Sequence, residues 1–319
     1  QVPRRWRPMM LASVPLLAPR TGLVAQPRMA PQPRMAPQPR MAPQPRMAAS
    51  QLRVHIAGDL SATETVVFVH GWPDDHTVFE PMLSLPGDDA LSESRCVLVD
   101  LPRADGAGWV GEDLSFPRLA SLVVDTIRSE SDRPVTLVGH DWGSVIASLV
   151  LRDQPGLVSR CVLLDVGAQP RFDTPALAAR GLGILAYFTV NTAAFLLGRV
   201  GPLRPVVDAF NARWIELLCR RVSPGFSLAR RPTSSQLNYF YYYALTGGLG
   251  GSVQRVLRTP PCPLLFLHGC GTFHDAAWAE ALNRRPQCAA QFICRDHWFF
   301  HAEPRRTRDA LCAWLRATQ

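Results

Sequence analysis

The chain of 319 residues contains no lysine; all 34 of its basic residues are arginine. That absence removes Schiff-base catalysis and the phosphate-binding lysine of a P-loop from consideration. Acidic residues are missing from positions 1–58, where nine arginines stand, so the net charge of +8 is a local property. The other 261 residues hold 25 arginines against 26 acids. A near-neutral body of this kind lacks the clustered basic surface of a nucleic-acid binder. The eight cysteines include no C-x-x-C pair, the spacing that redox and zinc sites favour. Cys96, Cys161 and Cys294 lie in or beside apolar runs and read as small reduced core residues. Neither a metal nor a cofactor is implied.

From Pro27 to Ala48 the unit Pro-Arg-Met-Ala-Pro-Gln recurs every six residues. Such a tract buries too little apolar surface to fold, so residues 1–50 are expected to be a disordered tail. Arg4, Arg5 and Arg7 precede a weakly apolar stretch, which fits either a transit peptide or a dispensable extension. The compartment expected is the cytoplasm, with the mitochondrion as the alternative.

Beyond the tail, apolar runs alternate with amphipathic ones. Strands are expected at 52–57, 65–70, 95–100, 134–139, 159–165, 263–268 and 290–294, and helices near 77–84, 115–130, 142–152, 274–284 and 304–317. This rhythm predicts an α/β fold whose mostly parallel sheet is covered by helices on both faces. Between Asp165 and Pro263 the strand pattern stops. Residues 168–258 are therefore expected to form an inserted helical cap, dividing the core into 51–167 and 259–319, with Gly247–Gly251 as the returning hinge. Gly181–Gly198 carries no charge over 18 residues, at the lower limit for a membrane span. Thr189, Asn191 and Thr192 argue instead for a cap helix over an apolar pocket, and superficial membrane contact ranks behind that reading.

Candidate chemistry collects at the carboxyl ends of the expected strands, where open α/β sheets place their sites. His70 follows Val66-Val-Phe-Val, Asp141 follows Val135-Thr-Leu-Val-Gly-His, Asp165 closes Cys161-Val-Leu-Leu, and His297 follows the last strand. Asp141 occupies the centre of a Gly-x-Asp-x-Gly turn, a position that carries serine in many hydrolases. A hydroxyl attacking an alkyl carbon leaves a stable ether, whereas a carboxylate leaves an ester that water can cleave. The residue type thus points to epoxides or alkyl halides.

His70-Gly-Trp-Pro-Asp74, Gly139-His-Asp-Trp-Gly143 and Asp296-His297-Trp-Phe, in this order and spacing, resemble the α/β-hydrolase superfamily, in particular its epoxide hydrolase and dehalogenase branch with an aspartate nucleophile. The similarity spans residues 52–317. It implies Asp141 as nucleophile, His297 as the base that activates water, and the backbone N–H groups of Trp72 and Trp142 as the oxyanion hole. His301 competes with His297 for the role of base. For the carboxylate that orients the histidine, two positions stay open: Asp165, and Asp275 in a loop where the usual aspartate position reads Thr272. Four of the five tyrosines fall in Asn238-Tyr-Phe-Tyr-Tyr-Tyr243, the fifth being Tyr187. Leu237-Asn-Tyr239 resembles the cap motif that carries a proton-donating tyrosine, which favours Tyr239, with Tyr187 as a second candidate. The expected activity is epoxide opening on a small apolar substrate without a cofactor. A haloalkane or haloacid dehalogenase and a non-catalytic ligand-binding member of the fold are the alternatives. The oligomeric state is not legible.

Overall fold

The computed structural model describes residues 51–106, 109–169, 175–225, 233–269 and 273–319, with backbone alone at 175–180. The expected tail at 1–50, and with it Cys270 and Thr272, lies outside the described residues. Seven strands form one sheet: β1 (Arg53–Gly58), β2 (Thr65–Val69), β3 (Arg95–Asp100), β4 (Val135–His140), β5 (Val158–Leu164), β6 (Leu264–His268) and β7 (Ala289–Phe292). Each matches a run expected from the sequence to within two residues. Their order is β1-β3-β2-β4-β5-β6-β7, and every pairing is parallel except β1 with β3.

The physical basis is visible strand by strand. β2 and β4 are buried at every position, and β5 at all but one, because helices cover both faces of the central sheet. β1 at the edge holds only partly buried and exposed residues instead. The helices are α1 (Glu80–Leu83), α2 (Phe116–Glu130), α3 (Trp142–Asp153), α4 (Pro175–Leu197), α5 (Arg204–Val222), α6 (Tyr239–Leu245), α7 (Gln254–Arg258), α8 (Ala276–Leu282), α9 (Phe299–Ala302) and α10 (Pro304–Ala317). α3 packs on β4, β5 and α2, while α10 packs against β6, α1 and α9.

A chain without lysine must tie its buried loops with guanidinium forks. Arg308 on α10 donates to both carboxylate oxygens of Asp89 and to the carbonyls of Met82, Leu83 and Leu85. An ammonium has three donors and could not satisfy these five acceptors together.

Sheet order also decides where a ligand can enter. β2 leads outward to β3, whereas β4 leads in the opposite direction to β5. The connections leaving β2 and β4 therefore diverge and open a crevice at their carboxyl ends. α4 to α7 fill the stretch between β5 and β6, which contains no strand among the described residues. Within it α4 packs against α5 and α6.

Candidate active site

Asp141 ends β4 and begins α3 with φ 51 and ψ −120, a conformation that costs a non-glycine residue on the order of 1–3 kcal/mol. The sharp turn lifts its carboxylate out of the sheet. Its two glycines are required by contact: a Cβ on Gly139 would lie 2.4 Å from the Gly143 carbonyl oxygen, and one on Gly143 would lie 2.1 Å from that of Val69 in β2. Because a core strand cannot yield, Gly143→Ala is expected to destabilise the fold by about 3 kcal/mol or more, read as a lowered urea midpoint at unchanged slope. A midpoint within error of the wild type would refute the elbow argument. Among the described residues only three non-glycines have positive φ, and two are Asp141 and Asp165 (φ 63). Backbone strain is thus concentrated where the candidate chemistry lies.

The turn after β2 faces the Asp141 carboxylate. Trp72 N–H donates to its Oδ2 at 2.9 Å, and the backbone N–H of Trp142 at the start of α3 also favours the charged form of this carboxylate. His70 fixes this turn rather than reaching the pocket. Its Nδ1–H donates to the Gly71 carbonyl at 2.8 Å while Nε2 accepts the Leu101 N–H at 3.0 Å, and burial lowers its pKa and keeps the ring neutral. The Trp72–Pro73 peptide is cis. Burial raises the Asp141 pKa, against the opposing pull of His297 and the two N–H donors.

His297 brings Nε2 to 3.9 Å from Asp141 Oδ1 and Nδ1 to 2.6 Å from Asp165 Oδ2. Asp165 is fully buried at the end of β5, and its Oδ1 accepts the Gly269 N–H at 2.8 Å. Burial alone would lower the His297 pKa. The Asp165 hydrogen bond and the charges of Asp165 and Asp141 outweigh it and leave the value raised. His140 packs against the His297 ring, donates from Nε2 to the His297 carbonyl at 3.2 Å, and is held neutral by its burial. The His297 N–H reaches the Val222 carbonyl at the end of α5. Of the two candidate carboxylates, the structure brings Asp165 to His297. Asp275 instead caps α8 by accepting the Ala277 N–H and meets Arg258. His301 is bonded to the Val78 carbonyl.

The structure places the candidate tyrosines differently. Tyr239 is fully buried, its ring stacks on Phe240, and its Oη meets no hydrogen-bond partner among the described residues. The phenols that share the surroundings of Asp141 are Tyr187 on α4 and Tyr241 on α6, whose hydroxyls bond each other. Both rings meet Trp72 edge-on, and Tyr241 also meets the Trp142 indole edge-on. Desolvation holds both hydroxyls well above the ordinary phenol range, and the Asp141 charge adds to it. Two positions on a helix differ by about 200°, so moving from residue 239 to 241 turns the ring to the opposite face. Phe188, Phe240 and Phe116 pack around Trp142, giving the pocket an apolar wall.

Sequence reasoning did not anticipate the polar link between insertion and core. Trp72 Nε1–H donates to Asn238 Oδ1 at 2.8 Å, and Asn238 Nδ2 donates to Asn211 Oδ1 at 2.8 Å, all three side chains being buried. Asn238 had a signal in its place within the tyrosine run; Asn211 had none. Away from the nucleophile, His55, His76 and Asp100 place potential ligand atoms within 4.8 Å of one another. Both imidazoles already bond the Asp100 carboxylate, at 3.1 and 2.7 Å, and lie stacked.

Comparison with known proteins agrees with this architecture. The profile of the alpha/beta hydrolase family matches residues 66–310. No curated protein matches the sequence. Among solved structures, MenH from S. aureus superposes with a TM-score of 0.62 at 16% identity, covering 85% of this chain and 99% of its own. The epoxide hydrolase CorEH gives 0.57 at 17% identity over 84% and 96% of the two chains. A candidate ancestral haloalkane dehalogenase gives 0.60 at 17% identity, also over 84% and 96%. Identities this low carry the fold and nothing finer.

Proposed function

The chain belongs to the alpha/beta hydrolase family, and from that premise we propose that it opens epoxides through a covalent ester on Asp141. One observation carries the reading: a carboxylate occupies the elbow, and a pair of phenols shares its desolvated pocket. In the first step Asp141 Oδ1 attacks an epoxide carbon. The carbon–oxygen bond breaks, its electron pair stays on oxygen, and Tyr187 or Tyr241 supplies the proton that neutralises the alkoxide. An apolar substrate suits the wall of Phe188, Phe240 and Trp142.

In the second step His297 Nε2 removes a proton from water, which attacks the ester carbon. Negative charge then develops on Oδ2, the oxygen that the Trp72 N–H already meets at 2.9 Å. Collapse expels the diol, which takes its proton from the imidazolium, the proton left on the regenerated Asp141 carboxyl returns to the tyrosinate formed in the first step, and Asp165 holds the ring in the required tautomer. The helical insertion between β5 and β6 acts as the lid that brings the phenols.

The dehalogenase alternative asks the Trp142 indole N–H to hold a departing halide. Here the Trp142 indole meets the phenol ring of Tyr241, a proton donor that an alkoxide needs and a halide does not, which favours an oxygen leaving group. Single turnover of a small aryl epoxide in heavy-oxygen water checks the scheme. The expected result is label in the peptide bearing Asp141 and none in the first-formed diol. Label in the diol alone, or halide release from haloalkanes with epoxides untouched, would sink the proposal.

A further inference from the structure

Of fifteen large hydrophobic side chains exposed among the described residues, nine fall between Leu182 and Leu217. They follow the outer surfaces of α4 and α5 and the turn between them. On α5 the positions Val206, Phe210, Arg213, Leu217 and Arg220 recur at spacings of four and three and so share one face. The opposite face carries Asn211, Ile215 and Cys219, all buried. Val206 is 72% exposed, and Phe210 and Leu217 are about half exposed. The helix therefore seals the insertion with one side and shows solvent a stripe of apolar residues flanked by guanidinium groups. α4 behaves likewise. Asn191, Ala194 and Phe195 are buried, while Leu182, Leu185, Leu196 and Leu197 point outward with no charged residue among the positions from 181 to 198. At the corner, where the two axes bend by 117°, Val200 and Leu203 extend the same exposure.

A surface of this extent on a water-exposed protein marks a partner. The charges around it say which kind. Residues 181–222 hold five arginines and two acids, in a body that is otherwise near neutral. Arg199 lies exposed over the Phe195 ring, and Glu216 is shared by Arg213 and Arg220, leaving a surplus of positive charge beside the apolar stripe. Arginine stems lie along apolar surface while their heads reach outward. Residues 1–58 add nine arginines without an acid. No single helix among the described residues is long and apolar enough to cross a membrane.

We infer that the α4–α5 corner is a membrane-docking surface: its apolar side chains enter the headgroup boundary of an anionic bilayer, and Arg199, Arg213, Arg220 and Arg221 meet the lipid phosphates. The helix that docks also ends at the site, because the Val222 carbonyl accepts the His297 N–H and Ser223 donates to Asp296 at 2.8 Å.

The test is flotation of the full chain with phosphatidylcholine vesicles, with and without one quarter phosphatidylglycerol, at roughly physiological salt. Wild type should float with the anionic vesicles. Replacing Leu203, Val206 and Phe210 by glutamate together should weaken that binding by on the order of 30-fold, and Arg213→Gln with Arg220→Gln by about 10-fold. A circular dichroism melt checks that each variant is folded. Phe210→Trp, a conservative change, gives an independent readout, since its emission should shift to the blue on anionic vesicles. Flotation of the triple variant equal to wild type would overturn the inference and assign binding to the N-terminal arginines. So would an absent blue shift, or a wild type that ignores vesicles and forms a dimer which the triple variant dissociates.

Discussion

A single turnover of His297→Gln with a small epoxide is expected to leave the protein heavier by the mass of the substrate, with the adduct on Asp141. Steady-state turnover should fall by about 10³- to 10⁴-fold, the scale on which members of such a catalytic unit act. Formation of the ester needs only the carboxylate and a proton donor. Its hydrolysis needs the base whose Nε2 lies 3.9 Å from Asp141 Oδ1. Asp165→Asn should produce the same stalled ester, because it loosens the 2.6 Å contact that orients the ring, whereas Asp275→Asn should turn over normally. In the wild type the same step should lose about tenfold per pH unit on the acid side of the His297 pKa, and because the Asp141 charge that helps raise that pKa is absent from the ester, the fall should begin at a lower pH than protonation of His297 in the free protein. Intact-mass spectrometry during turnover decides the matter. An unmodified His297→Gln chain that still forms diol would mean that water attacks the substrate directly.

Removing the phenol pair should act on the other half of the reaction. Tyr241→Phe is expected to slow ester formation by on the order of 100-fold to 1000-fold, as does the loss of one aimed donor from a dry site. Tyr187→Phe should have a comparable effect, and the double variant should open epoxides barely above background. Neither change should slow hydrolysis of an ester already formed, which uses His297 and the backbone donors. Tyr239→Phe provides the contrast. Its hydroxyl is buried without a partner among the described residues, so removing it should leave turnover near wild type and cost no stability, given that an unsatisfied buried oxygen is itself unfavourable. Pre-steady-state measurement of ester formation in the three single variants separates these roles. Slowing confined to Tyr239→Phe would return the proton donor to the position first favoured by the sequence.

The sheet was readable because its central strands are continuous apolar runs, and buried parallel strands leave no other use for such runs. The place of Asp165 at the end of one of them was readable too, and the structure adds its contact with His297. The tyrosine was not, since Tyr239 to Tyr243 puts an aromatic ring on every side of the helix and no periodic signal selects a face. Asn211 and Asn238 were invisible for a related reason. A polar residue in a helical pattern suggests solvent, and only the fold shows that these two amides satisfy each other and the Trp72 indole. The uncharged stretch from Gly181 to Gly198 reads as a pocket-lining helix, yet a helix has two sides. Tyr187 and Phe188 face Trp142 and its neighbours, while Leu182 and Leu185 face out.

The ion pair between His297 and Asp141 has a further meaning in time. Part of what holds the proton on His297 is the negative charge of Asp141. In the proposed reaction that charge vanishes when the carboxylate becomes an ester. The imidazole then gives up its proton more readily, at the moment a base is needed, and regains its hold on one when hydrolysis restores the carboxylate. The two half-reactions are thereby kept in sequence by one pair of side chains: each state of the nucleophile sets the protonation of the group that acts next.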